Sequence, residues 1–223
     1  MKAPAPPLLP GTRKLILVEG ADNKALVVEL LKKMGTIPGP LFVVAFDGIL
    51  GEHDGPEIHD FGGVEQLRPY LATLVKTAEF AAVERIAVVR DAERAGETAA
   101  FQSVQDACRN AGLVAPTAIG TYSQGRPQVG MYLLPGQGGA GALEDLCWQC
   151  VPQPVQQCID AYLECCAAAG VDVGRHRHKR RMAAWLAARM HNSYLGLAEA
   201  IGGKYFDLDD PLFDVLRRFL GAL

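Results

Sequence analysis

Carboxylates follow three short apolar runs of this sequence, two directly and one after a loop. Glu19 follows Leu15-Ile16-Leu17-Val18, and Asp91 and Glu93 follow Ile86-Ala87-Val88-Val89. Glu144-Asp145 comes after the glycine-rich stretch beyond Val129 to Leu134. Acids brought side by side repel unless a cation lies between them, and oxygen-only ligands suit Mg²⁺ or Mn²⁺. A cation so held activates water and stabilises a departing oxyanion, which is the chemistry of phosphoryl transfer. An extended register would project Asp91 and Glu93 to one side, with Ala92 pointing away. A plainer reading fits the same residues: Asp91 caps the next helix and Glu93 decorates its first turn.

The elements that must position these acids follow from the hydrophobic pattern. Lys14 to Gly20 reads as a first strand, its β-branched and leucine run suited to burial on both faces. Asp22 or Asn23 is placed to cap a helix reaching about Met34, with Leu26, Val27, Leu30 and Leu31 inward. A hairpin or edge pair is expected next: Leu41 to Phe46, a glycine-rich turn through Gly48, Gly51 and Gly55, then Glu57 to Phe61. A second helix is expected from about Val64 to Glu79, on Leu67, Leu71, Leu74 and Val75. After the Ile86–Val89 strand, a helix from Gly96 to Ala111 buries Phe101, Val104 and Cys108. Val129 to Leu134 is a further strand, stopped by Pro135-Gly136. Strands alternating with helices predict an α/β domain with a mainly parallel sheet. Parallel strands put their carboxyl ends on one side, where such sheets bind ligands. The loop Pro135 to Gly141 lacks the Lys-Ser/Thr of a Walker motif, but its glycines let the backbone turn Glu144 toward the other acids.

Composition sets the class. At 49% apolar and 21% charged the chain is globular rather than disordered. A net charge of −3 argues against a general nucleic-acid coat and leaves room only for a local basic patch. Residues 1–12 read as a flexible, proline-rich segment, unlike a signal peptide. No apolar stretch reaches the ~18 residues a spanning helix needs, so no membrane partner is expected and the chain reads as cytoplasmic. Of six cysteines, Cys147 and Cys150 form one CxxC, followed by Cys158, Cys165 and Cys166. One such pair signals zinc weakly; Cys158 and Cys165, seven apart on a helix, read as core packing.

Leu17-Val18-Glu19-Gly20-Ala21-Asp22 and the later Val88-Val89-Arg90-Asp91-Ala92-Glu93 resemble the Toprim fold of topoisomerases, primases and overcoming-lysogenization-defect nucleases. That fold has a glutamate after its first strand and an Asp-x-Asp pair after a later one. The resemblance covers about residues 13–150. Leu143-Glu144-Asp145-Leu146 and Tyr205-Phe206-Asp207-Leu208-Asp209-Asp210-Pro211 look like a family of stand-alone Toprim-like proteins of unassigned function. The resemblance implies that Glu19, Asp91 and Glu93 are metal acids and that Glu144 is a further one. It also implies that Lys179 matches a lysine which follows the acids in the nucleases, with Glu19 and Lys179 catalytic. One residue departs from the pattern: Glu93 stands where the second Asp is usual, and its extra methylene shifts the ligand.

Residues 151–223 read as a helical extension packed on the α/β domain of residues 13–150. Arg175-His176-Arg177-His178-Lys179-Arg180-Arg181 crowds positive charge at a helix start, where it opposes the helix dipole. Such a run is either a solvated face or a phosphate-holding patch for nucleic acid. The helix continues through Met182, Trp185, Leu186 and Met190. Asp209-Asp210-Pro211 opens a last amphipathic helix on Leu212, Phe213, Leu216, Phe219 and Leu220. Two functions are expected: a Mg²⁺- or Mn²⁺-dependent nuclease on DNA or RNA, or a non-catalytic interaction module working with a partner such as an ATPase, or with another copy of itself.

Overall fold

The apolar runs do become strands, and the glycines and acids that follow them mark where the strands stop. A computed structural model of the protein describes residues 7–35, 55–136, 138–174, 176–189 and 196–223. Its elements run β1 (Lys14–Val18), α1 (Ala21–Lys33), β2 (Glu57–Asp60), α2 (Leu67–Leu74), β3 (Arg85–Asp91), α3 (Gly96–Asn110), β4 (Gln128–Leu134), α4 (Leu143–Gln149), α5 (Gln153–Ala168), α6 (Arg177–Arg189), α7 (Leu197–Gly202) and α8 (Asp214–Gly221). The strand expected over residues 41–46, the turn at Gly48 and Gly51, and Arg175 and Met190 lie outside the described residues.

Among the described residues all the paired strands are parallel, in the order β2-β1-β3-β4. The alternating side chains of each strand divide between two cores, as a period of two requires. Ile16, Val18, Ile58, Ala87, Val89 and Leu134 face α1 and the C-terminal helices. Leu15, Leu17, Ile86, Val88, Met131 and Leu133 face α2 and α3. Each fully buried aliphatic side chain contributes roughly 1.5–3 kcal/mol, so this two-sided burial is the main force holding the sheet. The strand order reverses between β1 and β3, with α1 on one face and α2 and α3 on the other. The two carboxyl ends splay apart there and leave a crevice.

The C-terminal helices close the α1 face. α7 and α8 pack against α1, and α6 packs against α4 and α5. Phe213 and Leu216 are fully buried, and Phe219 stacks on Tyr122 with ring centroids 5.2 Å apart. Asp210 caps the turn Pro211–Phe213 by accepting from the Leu212 N–H, with Pro211 at its first position. At the other end of the chain Leu8 is buried, and the Leu9 N–H and Thr12 hydroxyl both donate to Glu57 Oε2.

Several expectations change. The helix after Gly62-Gly63 is shorter: a 3-10 turn at Val64–Gln66, α2 over Leu67–Leu74, and a second 3-10 turn at Ala78–Ala82. Pro69 fits only the first turn of a helix, which fixes the start of α2 close by. Val75, just past its end, is only partly buried. Among the described residues, Glu57–Asp60 stands at the end of the sheet, paired in parallel with β1. α3 buries Ala100, Val104, Ala107 and Cys108, with Phe101 only partly covered. Cys158 and Cys165 are exposed, not core. α5 is anchored by buried Leu163 and partly buried Ile159, and the two cysteines lie on stripes that face away. Cys108 and Cys147 are the buried ones.

Candidate metal centre

Glu19 is the first residue beyond β1, and its backbone N–H still follows the sheet, donating to the Val89 carbonyl at 3.2 Å. Its side chain falls on the α2/α3 side, one step after Val18. Asp91, the last residue of β3, points to the opposite side, as Val89 does. The two acids therefore lie across the β1/β3 crevice. The Asp91 N–H donates to Glu19 Oε2 at 3.2 Å. Asp91 Oδ1 accepts from the Leu143 N–H, at the start of α4, at 3.1 Å and lies 3.4 Å from the Asn23 amide nitrogen.

Glu93 arrives differently from the extended register expected of it. Its backbone is left-handed, with φ of 57°, so strand alternation has already ended. Backbone hydrogen bonds in both directions join it to Gly141, at 2.7 and 3.1 Å. This bridge returns its carboxylate to the other two and draws in the loop that carries Glu144. One ligand oxygen from each of Glu19, Asp91 and Glu93 lies within 4.8 Å of the others. Among the described residues this is the group of three or more metal-type side chains that comes together.

Glu144 lines the same cleft of ≈ 170 Å³ with Asp22, Asn23 and Lys179. Lys179 Nζ, on α6, stands 3.7 Å from Glu144 Oε1. The structure thus brings together all of Glu19, Asp91, Glu93, Glu144 and Lys179. Asp145 is not among them: it accepts from the Ala142 N–H and caps its own helix. Neither Asp22 nor Asn23 caps α1, whose N-cap is Gly20. Asp22 accepts from the Ala198 N–H at the start of α7, while Asn23 is buried beside Asp91. Asn23 is a site residue that helix-cap reasoning misplaced; its spacing one turn after Glu19 was the available signal.

Arg90 is the other residue that sequence reasoning passed over. It is 2% exposed, and its Nε sits 3.6 Å from Glu19 Oε2. Burial raises the Glu19 carboxyl above its ordinary value, opposed by Arg90 and the Asp91 N–H and reinforced by Glu93. Asp91 is pushed up to about 8 by burial first, then by Glu19, Glu144 and Glu93, with the Leu143 N–H opposing. Crowded acids hold protons until a stronger cation replaces them.

The basic run at the start of α6 does not form one solvated patch. Arg177 and Arg181 both pair with Asp160 of α5, at 3.0 and 2.6 Å, and Arg181 lies over the Trp148 ring. Asp160 thereby supplies the negative charge that the amino end of α6 lacks in its own sequence. Among the described residues of the run, Lys179 is the one paired with an acid of the cleft.

A parallel α/β sheet with a carboxylate cleft at its switch point defines the class. The chain belongs to the family described as "Protein of unknown function (DUF3226)", which it matches over residues 13–223. It is also similar to the crystal structure of a hypothetical protein from Pyrococcus horikoshii OT3. The TM-score is 0.53, the identity 18%, and 95% of each chain is covered. At that identity the likeness is one of fold alone. No curated protein matches. No described helix is long and apolar enough to cross a membrane.

Proposed function

We propose that this protein is a divalent-cation-dependent phosphoryl-transfer enzyme, a Toprim-type nuclease acting on DNA or RNA. The observation that carries the reading is the convergence of Glu19, Asp91 and Glu93 within 4.8 Å at the carboxyl ends of β1 and β3. An octahedral Mg²⁺ with ligands at 2.0–2.1 Å holds opposite oxygens about 4.2 Å apart, so small side-chain adjustments close the three acids around it. The donor set is all oxygen and anionic, which fits Mg²⁺ or Mn²⁺ and disfavours softer metals. The extra methylene of Glu93 suits its position, because the left-handed backbone carries that residue toward Gly141 and a longer side chain spans the return.

Bound there, the cation would activate water and polarise the scissile phosphate. The residues of the chain do the rest. Asn23 and the Leu143 N–H hold Asp91, and Arg90 with the Asp91 N–H holds Glu19. Lys179 stands where it can neutralise charge that develops on a phosphoryl group, while Glu144 keeps its ammonium at the cleft wall.

The test is cleavage of labelled DNA and RNA with Mg²⁺ or Mn²⁺, beside chelator and beside Asp91→Asn. Cation-dependent cleavage lost in the variant is expected. No cleavage of either polymer, together with no effect of cation on melting, would overturn the reading.

A second reading has its own support. Among the described residues Arg177 and Arg181 are engaged by Asp160, and the net charge is −3, so the run offers less free positive charge to a nucleic-acid backbone than its sequence implies. This favours a Toprim-like interaction module that works with a protein partner such as an ATPase. Cation-dependent stabilisation without cleavage by the isolated chain would point that way.

A further inference from the structure

Arg90 is buried as deeply as the hydrophobic core, and among the described residues two of the three polar groups beside its guanidinium belong to the acids of the cleft. Nε donates to the Asp91 carbonyl at 3.2 Å, Nη1 reaches Ser103 Oγ on α3 at 3.4 Å, and Nε stands 3.6 Å from Glu19 Oε2. Strand alternation explains the arrangement. Arg90 precedes Asp91 and so lies on the α2/α3 side, the side to which Glu19 turns after Val18. A buried guanidinium is costly unless it is paired, and the nearest carboxylate is that of Glu19. Glu19 Oε2 is thus held between Arg90 and the Asp91 N–H. Among the described residues, the hydrogen bond and the ion pair of Glu19 both fall on Oε2 and neither on Oε1.

We infer that Arg90 is the positioning residue that presents Glu19 to a cation through its Oε1 oxygen. The inference rests on the cation-binding reading above. It predicts one-oxygen ligation by Glu19, with Arg90 acting only through that side chain. Partners behind a metal ligand are worth 10–100-fold in metal affinity, roughly the loss expected when Arg90 is removed.

The experiment is a double-substitution cycle read by Mn²⁺ binding, using electron paramagnetic resonance on the full chain. Mn²⁺ affinity should fall at least about ten-fold in Arg90→Met and recover most of the way in Arg90→Lys. In a Glu19→Gln background, Arg90→Met should change affinity by less than about three-fold. An unchanged affinity in Arg90→Met, or the same loss in both backgrounds, would overturn the inference and leave the cation site standing. Absence of Mn²⁺ binding by the unsubstituted chain would instead overturn the cation reading. If Arg90→Met does not fold, Arg90→Gln carries the same cycle, since it keeps an N–H donor without the charge.

Discussion

The Asp91 N–H donates to Glu19 Oε2 at 3.2 Å, so a backbone group of one strand end orients the carboxylate of its neighbour. The two acids are 72 residues apart in the chain and are coupled by sheet pairing rather than by any flexible loop. A site built on strand ends is held more firmly than one built on loops.

Removing an acid should abolish cation-dependent function while leaving the fold. Asp91→Asn keeps an acceptor for the Leu143 N–H and deletes one of the crowded charges. Its cation-free form should be more stable than the unsubstituted protein at pH 8, by about 1–2 kcal/mol. Thermal melting in chelator checks the stability, and Mn²⁺ titration checks the lost affinity. A destabilised Asp91→Asn protein would show that the carboxylate is structural.

The pH dependence has a definite sign. Asp91 is pushed from its ordinary 3.8 up to about 8, so the folded, cation-free chain keeps a proton that the unfolded chain releases. That contribution is complete below the unfolded value and is lost as pH rises through the folded one. Melting temperature in chelator should therefore decline between about pH 5 and pH 8. Mn²⁺ should reverse the decline, because binding competes with that proton. A cation at 100 times its dissociation constant adds about 2.7 kcal/mol, and chelator should remove it. Melting curves across pH, with and without Mn²⁺, decide the matter; a flat chelator profile counts against it.

Glu57 gives the opposite sign. Burial alone would raise its carboxyl, but hydrogen bonds from His59, Thr12 and the Leu9 N–H hold it below the ordinary 4.5. Its contribution is present above the unfolded value and is lost as pH falls through the folded one. Acid should therefore release residues 8–12 from β2. Glu57→Gln should cost about 1–3 kcal/mol, since His59 and Tyr70 are left buried around a weaker partner. Hydrogen exchange at Leu9 and Thr12 would report the release; protection that survives the substitution would argue that Leu8 alone docks the segment.

Lys179 and its neighbours on α6 should separate cleanly. The Lys179 side chain is 60% exposed, so Lys179→Ala should change stability by less than about 0.5 kcal/mol. Any phosphoryl-transfer rate should nonetheless drop by about 10²–10³-fold. Arg177→Ala with Arg181→Ala should do the reverse, weakening the α5–α6 contact by about 1–3 kcal/mol with little change in rate. Parallel melting and rate measurements distinguish them. Equal losses of stability in both variants would mean that Lys179 is only part of the helix contact.

The apolar strands Lys14–Val18, Arg85–Asp91 and Gln128–Leu134, the mainly parallel sheet and the acids that follow the first two were legible in the sequence because they depend on local pattern. β-branched runs buried on two faces carry no polar interruption, and the acids that stop them are conspicuous for that reason. The helix faces of α1 and α8 were legible on the same ground. What the tertiary structure decided is how the ends meet. Glu93 reaches the site through a left-handed turn and a bridge to Gly141, a contact no single-residue propensity encodes. Arg90 drew no reading from the sequence, and only the alternation of β3 against the exit of β1 puts its charge beside Glu19. Asn23 and Asp22 had the character of helix caps until the packing of α1 against β3 and α7 gave each another partner. The cysteines of α5 show the same limit, since helical spacing says which residues share a face but not whether anything covers it. Local sequence specifies elements and their chemistry; the pairing of distant surfaces, set by the burial of the whole chain, specifies which of those groups come together.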